Sequence, residues 1–245
     1  MKKILYSVIS AMFLFLGSAC ERDDYEFKQT ASITVVNAGL GIGAVKVNPG
    51  AGGGFAYSRA LDVANYNSGV FGAFAGSNTI TVVKSSDTTI KYFERTTDLQ
   101  PISTLYISGA ATAIDTTFRI EKDFPLINSS SVNAENAMYV RFVNLSPNSG
   151  SINVRILAAT TNEVSALAYK GISDFKKYNA PPAPVGSPQF TRFEIRNATN
   201  TTTLATFDVN YNGTRYKTAS VIFRGLLPEG TLNPFPVGAF QVNYN

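Results

Sequence analysis

The strongest constraint on the fold is an internal repeat. Residues 139–156, YVRFVNLSPNSGSINVRI, read as two short strands joined by an Asn-Leu-Ser-Pro-Asn-Ser-Gly turn, and residues 33–47, ITVVNAGLGIGAVKV, are a degraded copy. Aligning Val36-Asn37 with Val143-Asn144 sets the copies 107 residues apart. That offset is one ordinary domain length, so the chain divides into two similar modules. Two copies make a duplication rather than a solenoid. The correspondence continues beyond the first hairpin, with 79–83 answering 192–196 and 105–109 answering 221–225.

Nearly every readable segment is a strand. Ile33, Val35, Val45 and Val47 alternate with small or polar residues, the period of a half-buried sheet. Residues 79–84 and 89–94 flank Ser85-Ser86-Asp87-Thr88, a polar turn suited to a hairpin. A strand at 103–108 follows, and 118–122 reads as a further strand or a turn of helix. The second module shows strands at 139–144, 152–157, 190–196, 203–209 and 216–224, and a closing strand at 240–244. Asn210-Tyr211-Asn212-Gly213 predicts a hairpin turn, because Asn-Gly tolerates positive φ. Residues 180–188, with four prolines, predict an extended loop. The glycine-rich stretches 39–43 and 50–54 lack a phosphate-loop pattern and predict mobile turns. Residues 128–136, NSSSVNAEN, are polar and aperiodic and mark the boundary. The expected fold is all-β, two tandem antiparallel β-sandwiches of immunoglobulin-like type at 31–127 and 137–245, with 128–136 as the linker.

The chain begins with Lys2-Lys3, an apolar run at 4–16 and Gly17-Ser18-Ala19-Cys20, which together describe a secretory signal over 1–19. The run is shorter than the roughly 20 residues of a membrane span. Leu-Gly-Ser-Ala-Cys resembles the bacterial lipobox, with Leu16 four residues before the cysteine rather than the usual three. That resemblance implies cleavage before Cys20 and diacylglycerol on its sulfur, with 20–30 as a tether. Glu21-Arg22-Asp23-Asp24-Tyr25-Glu26 resembles the export signal of Bacteroidetes surface lipoproteins, which implies an outer-membrane anchor and an outward-facing protein. Loss of Lys2 and Lys3 with the signal leaves 19 basic residues against 17 acidic. Such a balance is no nucleic-acid footprint. The single cysteine excludes an internal disulfide.

At Tyr139-Val-Arg-Phe-Val-Asn-Leu-Ser-Pro-Asn the second module resembles the bacterial family catalogued as domain of unknown function 4397. The resemblance extends to Asn153-Val154 in the second strand, to Leu167-Ala-Tyr-Lys-Gly171 and Lys177-Tyr178, and to a late strand ending in Phe223-Arg224-Gly225. The first module matches in part, through Val36-Asn37-Ala38, with Gly39-Leu40 where the family has Ser-Pro. The resemblance implies an extracytoplasmic β-sandwich, often on lipoproteins, and brings no catalytic residues.

The chemistry-bearing inventory is short. There is no histidine, which removes His-dependent triads and His-ligated metals. The acidic residues Asp62, Glu94, Asp98, Asp174, Glu194 and Asp208 show no paired spacing. No catalytic residue, metal ligand or cofactor is expected. Tyr57, Tyr66, Tyr169 and Tyr178 fall in loop-rich segments and form the candidate binding face, since a tyrosine ring offers both an apolar face and a hydroxyl. Asp87-Thr88-Thr89 and Asp115-Thr116-Thr117 resemble the O-glycosylation sequence of Bacteroidetes, with Thr88 and Thr116 as acceptors. The favoured reading is a lipid-anchored, non-catalytic surface protein that binds a glycan or an envelope partner. A fimbrial subunit assembling by strand donation and an enzyme using a carboxylate pair remain as alternatives.

Overall fold

Alternation of small, β-branched and aromatic residues is expressed as strands almost throughout. The computed structural model describes residues 28–50, 54–125, 136–182, 186–228 and 233–244, so the signal, Cys20 and residues 21–27 of the tether lie outside the described residues, and the first strand begins already at Thr30. The first module comprises β1 (Thr30–Asn37), β2 (Val45–Asn48), β3 (Asp62–Val63), β4 (Asn67–Phe74), β5 (Gly76–Lys84), β6 (Asp87–Leu99), β7 (Ile102–Ala110) and β8 (Ala113–Ile120). The second comprises β9 (Ala137–Asn144), β10 (Ile152–Ile156), β11 (Val164–Leu167), β12 (Lys176–Asn179), β13 (Phe190–Asn197), β14 (Thr203–Asn210), β15 (Thr218–Arg224) and β16 (Gly238–Tyr244).

Each module is a sandwich of two four-stranded sheets. The orders β4-β1-β7-β8 and β3-β2-β5-β6 in the first module are matched by β12-β9-β15-β16 and β11-β10-β13-β14 in the second. Each strand therefore has a counterpart eight places later. Pairing is antiparallel apart from β1 with β7 and β9 with β15, which run parallel. The registers reproduce the sequence alignment. Val35 faces Leu105 as Phe142 faces Val221, and Lys46 faces Val83 as Asn153 faces Arg196.

Asn37 and Asn144, the residues that anchor the repeat, do the same work in both modules. Each is fully buried at the end of its strand. The Asn37 side-chain amide donates to the carbonyls of Gly43 at 2.8 Å and Val63 at 3.1 Å. That of Asn144 donates to Gly150 and Leu167, both at 3.0 Å. The chain crosses between sheets at this point, where ladder partners run out and buried backbone groups must still be satisfied. A short side chain carrying both donor and acceptor meets that need locally.

Three cores stack in sequence. Ile33, Val35, Val47, Ile80, Leu105 and Ile107 fill the first sandwich, and Val140, Phe142, Val154, Phe193, Ile195 and Phe223 the second. A third core lies between the modules, where Val36, Ala38 and Tyr106 meet Val143, Leu145, Ile222, Val242 and Tyr244. The β4-β1-β7-β8 and β12-β9-β15-β16 sheets are thus inner layers with cores on both sides. Alternate residues of β1, Ile33 and Val35, point into their own sandwich, while Val36 points into the junction. The first strand of each module consequently carries long apolar runs rather than the strict alternation of a sheet with one wet face.

Several local expectations are corrected. Asn210–Gly213 closes no hairpin: Tyr211–Thr214 form one helical turn, and β14 and β15 belong to different sheets. Gly213 lacks the positive φ that the turn reading required. Residues 39–43 are packed, with Leu40 and Ile42 buried and Leu40 bridged to Ala110. Residues 51–53 of the other glycine stretch lie outside the described residues. Of the two readings of 118–122, strand or helical turn, the strand holds for 118–120, which end β8. Strand β4 was not expected, because Gly69 and Gly72 interrupt its apolar pattern.

Gly225 shows why the late strand ends in Arg-Gly. Its φ is 98°, and a Cβ there would sit 2.4 Å from the Pro236 carbonyl oxygen. Its counterpart Gly109 has φ 78° and would meet the Ala113 oxygen at 2.3 Å. Gly225→Ala should cost more than about 1 kcal/mol, read as a lower urea midpoint. A variant as stable as the parent would contradict the backbone requirement.

Candidate binding site at the module junction

The junction is built around a buried charge. Arg141 lies on β9, one residue out of phase with Val140 and Phe142, so the alternation that sends those two into the sandwich sends Arg141 between the modules. Its side chain is 0% exposed and that of its partner Glu121, just after β8, is 3% exposed. The guanidinium donates to the two Glu121 carboxylate oxygens at 2.6 and 2.7 Å, a bidentate pair. It also donates to Tyr106 Oη at 2.7 Å, Tyr244 Oη at 3.0 Å and Ser220 Oγ at 2.8 Å. The Phe175 ring lies 4.4 Å from the guanidinium carbon. A buried charge is tolerable only when paired and hydrogen-bonded, and here residues from both modules supply the partners.

The surrounding contacts are reciprocal. Tyr66 and Lys170 occupy equivalent turns: both have positive φ, and their N–H groups donate to the carbonyls of Asn37 and Asn144, each at 2.7 Å. Tyr66 reaches across to the second module, with the Arg224 guanidinium 3.8 Å from its ring centroid. The turn holding Lys170 reaches back to the first module, where Tyr169 Oη lies 3.0 Å from Ser108 Oγ and Lys170 pairs with Asp115 at 2.8 Å. Arg224 and Ser108 are themselves equivalent positions in β15 and β7. This is the pattern of an isologous interface, formed within one chain.

Beside the buried pair lies a cleft of about 710 Å³ between the modules. Phe118 and Arg119 of β8, with Glu121, Lys122 and Asp123, line the first-module side, and Tyr139, Asp174 and Phe175 the second. Glu121 therefore serves both the buried network and the cleft floor.

Burial alone would raise the Glu121 carboxyl, but the hydrogen bonds and charge of Arg141 outweigh it and hold the group below the usual carboxylate range. Burial is likewise opposed at Asp115 by Lys170, with the same net direction. Burial pushes the Tyr106 hydroxyl well above its usual value, so it stays protonated. A depressed carboxylate contributes stability that is complete above its unfolded value, about 4, and lost as pH falls through the native one. Thermal stability should therefore be flat from neutrality to about pH 5 and fall below about pH 4. A decline already under way at pH 6–7 would contradict this assignment.

The four tyrosines proposed as a binding face do not share one environment, and none is fully exposed. Tyr57 belongs to a short 3-10 turn and packs edge-on against Phe55, with ring centroids 5.0 Å apart. Tyr66 and Tyr169 are junction contacts on its two reciprocal halves. Tyr178 lies on β12, packs edge-on against Phe193 and contacts Glu163 through its hydroxyl at 3.1 Å. Burial first, then the Glu163 charge, pushes its hydroxyl up. Thr88 is exposed near the start of β6, whereas Thr116 is half-buried on β8 beside the paired Asp115. Cys20 lies outside the described residues.

Sequence reasoning missed Arg141 and Glu121 as a pair. Arg141 holds an outward-reading position of its strand, where a charge is ordinary, and the partner 20 residues away gave no signal either. Among the described residues, no three of His, Cys, Asp or Glu gather closely enough to hold a metal ion. No described helix is long and apolar enough to cross a membrane. Four of the scattered carboxylates pair with basic groups: Asp62 with Lys46, Glu94 with Lys91, Glu194 with Arg155 and Asp208 with Arg192. No protein-family model matches the chain, and no curated protein matches it.

Proposed function

We propose that this protein is a lipid-anchored, non-catalytic binding protein of a bacterial outer membrane, facing outward and capturing a ligand at the module junction. The observation that carries the reading is the junction cleft: both modules wall it, and its floor is fixed by the Arg141–Glu121 pair. Clefts of about 300–1,000 Å³ at domain interfaces are common ligand sites. A site preorganised in this way loses little conformational freedom on binding. The ionisable groups at its base, Arg141, Glu121 and Arg119, are engaged in structural pairs, an arrangement suited to holding rather than to transferring protons.

The stretch that resembles the opening of the domain of unknown function 4397 family belongs to the scaffold around that cleft. Arg141 closes the junction, Asn144 satisfies the crossing loop, and Ser146 donates to the Gly225 carbonyl at 2.8 Å. These three polar residues of that opening thus have structural tasks.

The anchor rests on Cys20. Two acyl chains on its sulfur, at about 0.8 kcal/mol per buried methylene, hold a protein stably where one chain does not. Cys20→Ser should abolish lipid labelling and release folded protein from the outer-membrane fraction. Retention of the Cys20→Ser protein on membranes after a high-salt wash would refute the lipid anchor. Capture of a ligand by the parent, and its loss when the cleft residues are altered, tests the binding role.

A further inference from the structure

Resting on the binding function proposed above, we infer that the junction cleft takes a neutral, hydroxyl-rich ligand, a glycan segment. The first argument is charge. Glu121 is neutralised by Arg141 beneath it. The charges left around the cleft are Arg119 and Lys122 against Asp123 and Asp174, two of each sign. A polyanion or a polycation entering it would meet as many like charges as opposite ones, so neither gains a net attraction.

The second argument is the kind of surface on offer. Tyr139 and Phe175 bring aromatic residues to the walls, whereas Phe118, also at the cleft, packs against the first core. Ring faces suit the C–H faces of a sugar, while carboxylate, ammonium and guanidinium groups between them bond hydroxyls as acceptors and donors. The Phe175 ring is held in place by the Arg141 guanidinium and by the edge of Phe124, 5.5 Å away between centroids. A ring fixed from behind is a ready platform, and a ligand need not pay to order it.

The third argument is shape. The cleft spans both modules, so a ligand that fills it contacts both. Its walls come from the end of β8, the start of β9 and the segment before β12, so the site exists only while the modules are docked.

The test is titration calorimetry on the full chain in mild detergent. The probes are neutral hexasaccharides (cello-, manno-, malto- and chito-series), an oligogalacturonate and a pool of unrelated short peptides. A neutral hexasaccharide should bind, and Asp174→Ala and Lys122→Ala should each weaken it about tenfold or more, the loss of a hydrogen bond to a charged group. Both residues are exposed, so these variants keep the fold. Leu61→Ala, away from the cleft, should bind as the parent does. Binding of oligogalacturonate or peptides alone, weakened by the same variants, would overturn the ligand class and leave the binding function standing. Neutral glycan binding unaffected by Asp174→Ala and Lys122→Ala would overturn the site. Binding of no probe at all would overturn the inference, while capture of some other ligand by the parent would still uphold the function beneath it.

Discussion

Arg141→Met should lower the stability of the folded protein by about 3–5 kcal/mol, because it strands the Glu121 carboxylate in a buried site with its main partner gone. Arg119, 3.3 Å from Glu121 and one-third exposed, compensates only in part, so the lower end of that range is expected. The loss concentrates at the junction, where Tyr106, Tyr244 and Ser220 also lose a donor. Replacing both charged residues, Arg141→Met with Glu121→Leu, should recover much of the loss, since an apolar pair of similar volume avoids the desolvation cost of two ions. Urea denaturation of the two single variants and the double variant measures the coupling directly. An Arg141→Met protein within about 1 kcal/mol of the parent would mean that the pair behaves as an ordinary surface salt bridge.

Asn144→Ala should be comparably damaging. The Asn144 side chain donates to the carbonyls of Gly150 and Leu167 and accepts from the Ser146 N–H at 3.1 Å. Gly150 is exposed and finds water, but the Leu167 carbonyl and the Ser146 N–H are left buried without partners. At about 1–3 kcal/mol for each orphaned group, the expected loss is about 2–6 kcal/mol. Asn144→Asp keeps the acceptor but loses both donors and buries a charge, so it should fare no better. The equivalent Asn37→Ala should act in the same direction but more weakly, because its contact to Gly39 is long, 3.4 Å. An Asn144→Ala protein of parental stability would show that the repeat's most legible residue is not what holds the sheet crossing together.

Much of the fold was legible because the duplication fixes two structures at once. The aligned pairs 79–83 with 192–196 and 105–108 with 221–224 lie on β5 and β13 and on β7 and β15, with Gly109 and Gly225 equivalent beyond them. What escaped notice was whatever depends on partners distant in sequence. Strand β4 is glycine-interrupted, and β11 and β12 are each four residues long, so local propensity is weak and tertiary pairing decides. The Asn-Gly turn failed because it is followed by a change of sheet rather than by a return along the same one. The candidate tyrosines were chosen for lying between strands. Lying between strands does not mean exposure here, because the turns carrying Tyr66 and Tyr169 dock on the neighbouring module. The same cause hid the cleft: its walls come from 118–125, 139 and 174–175, and no spacing rule connects Glu121 with Phe175.

The junction also explains why the inner strands read as more apolar than a two-layer sandwich needs. Tyr106 and Ile222 are equivalent positions, and both lie in the third core. On an isolated module these would be exposed apolar residues on a sheet face. Their burial against each other gives the duplication a physical purpose: each copy covers the face that the other leaves bare.

The most direct test of a rigid, docked pair of modules is a distance between them. Leu61, 78% exposed on the first module, and Leu157, 47% exposed on the second, are suitable sites for spin labels, introduced as Leu61→Cys and Leu157→Cys in a chain carrying Cys20→Ser. Double electron–electron resonance should give a single narrow distance distribution that broadens when Arg141→Met is added. A broad distribution in the parent, unchanged by Arg141→Met, would show two modules tethered by a linker, with no junction and no shared cleft.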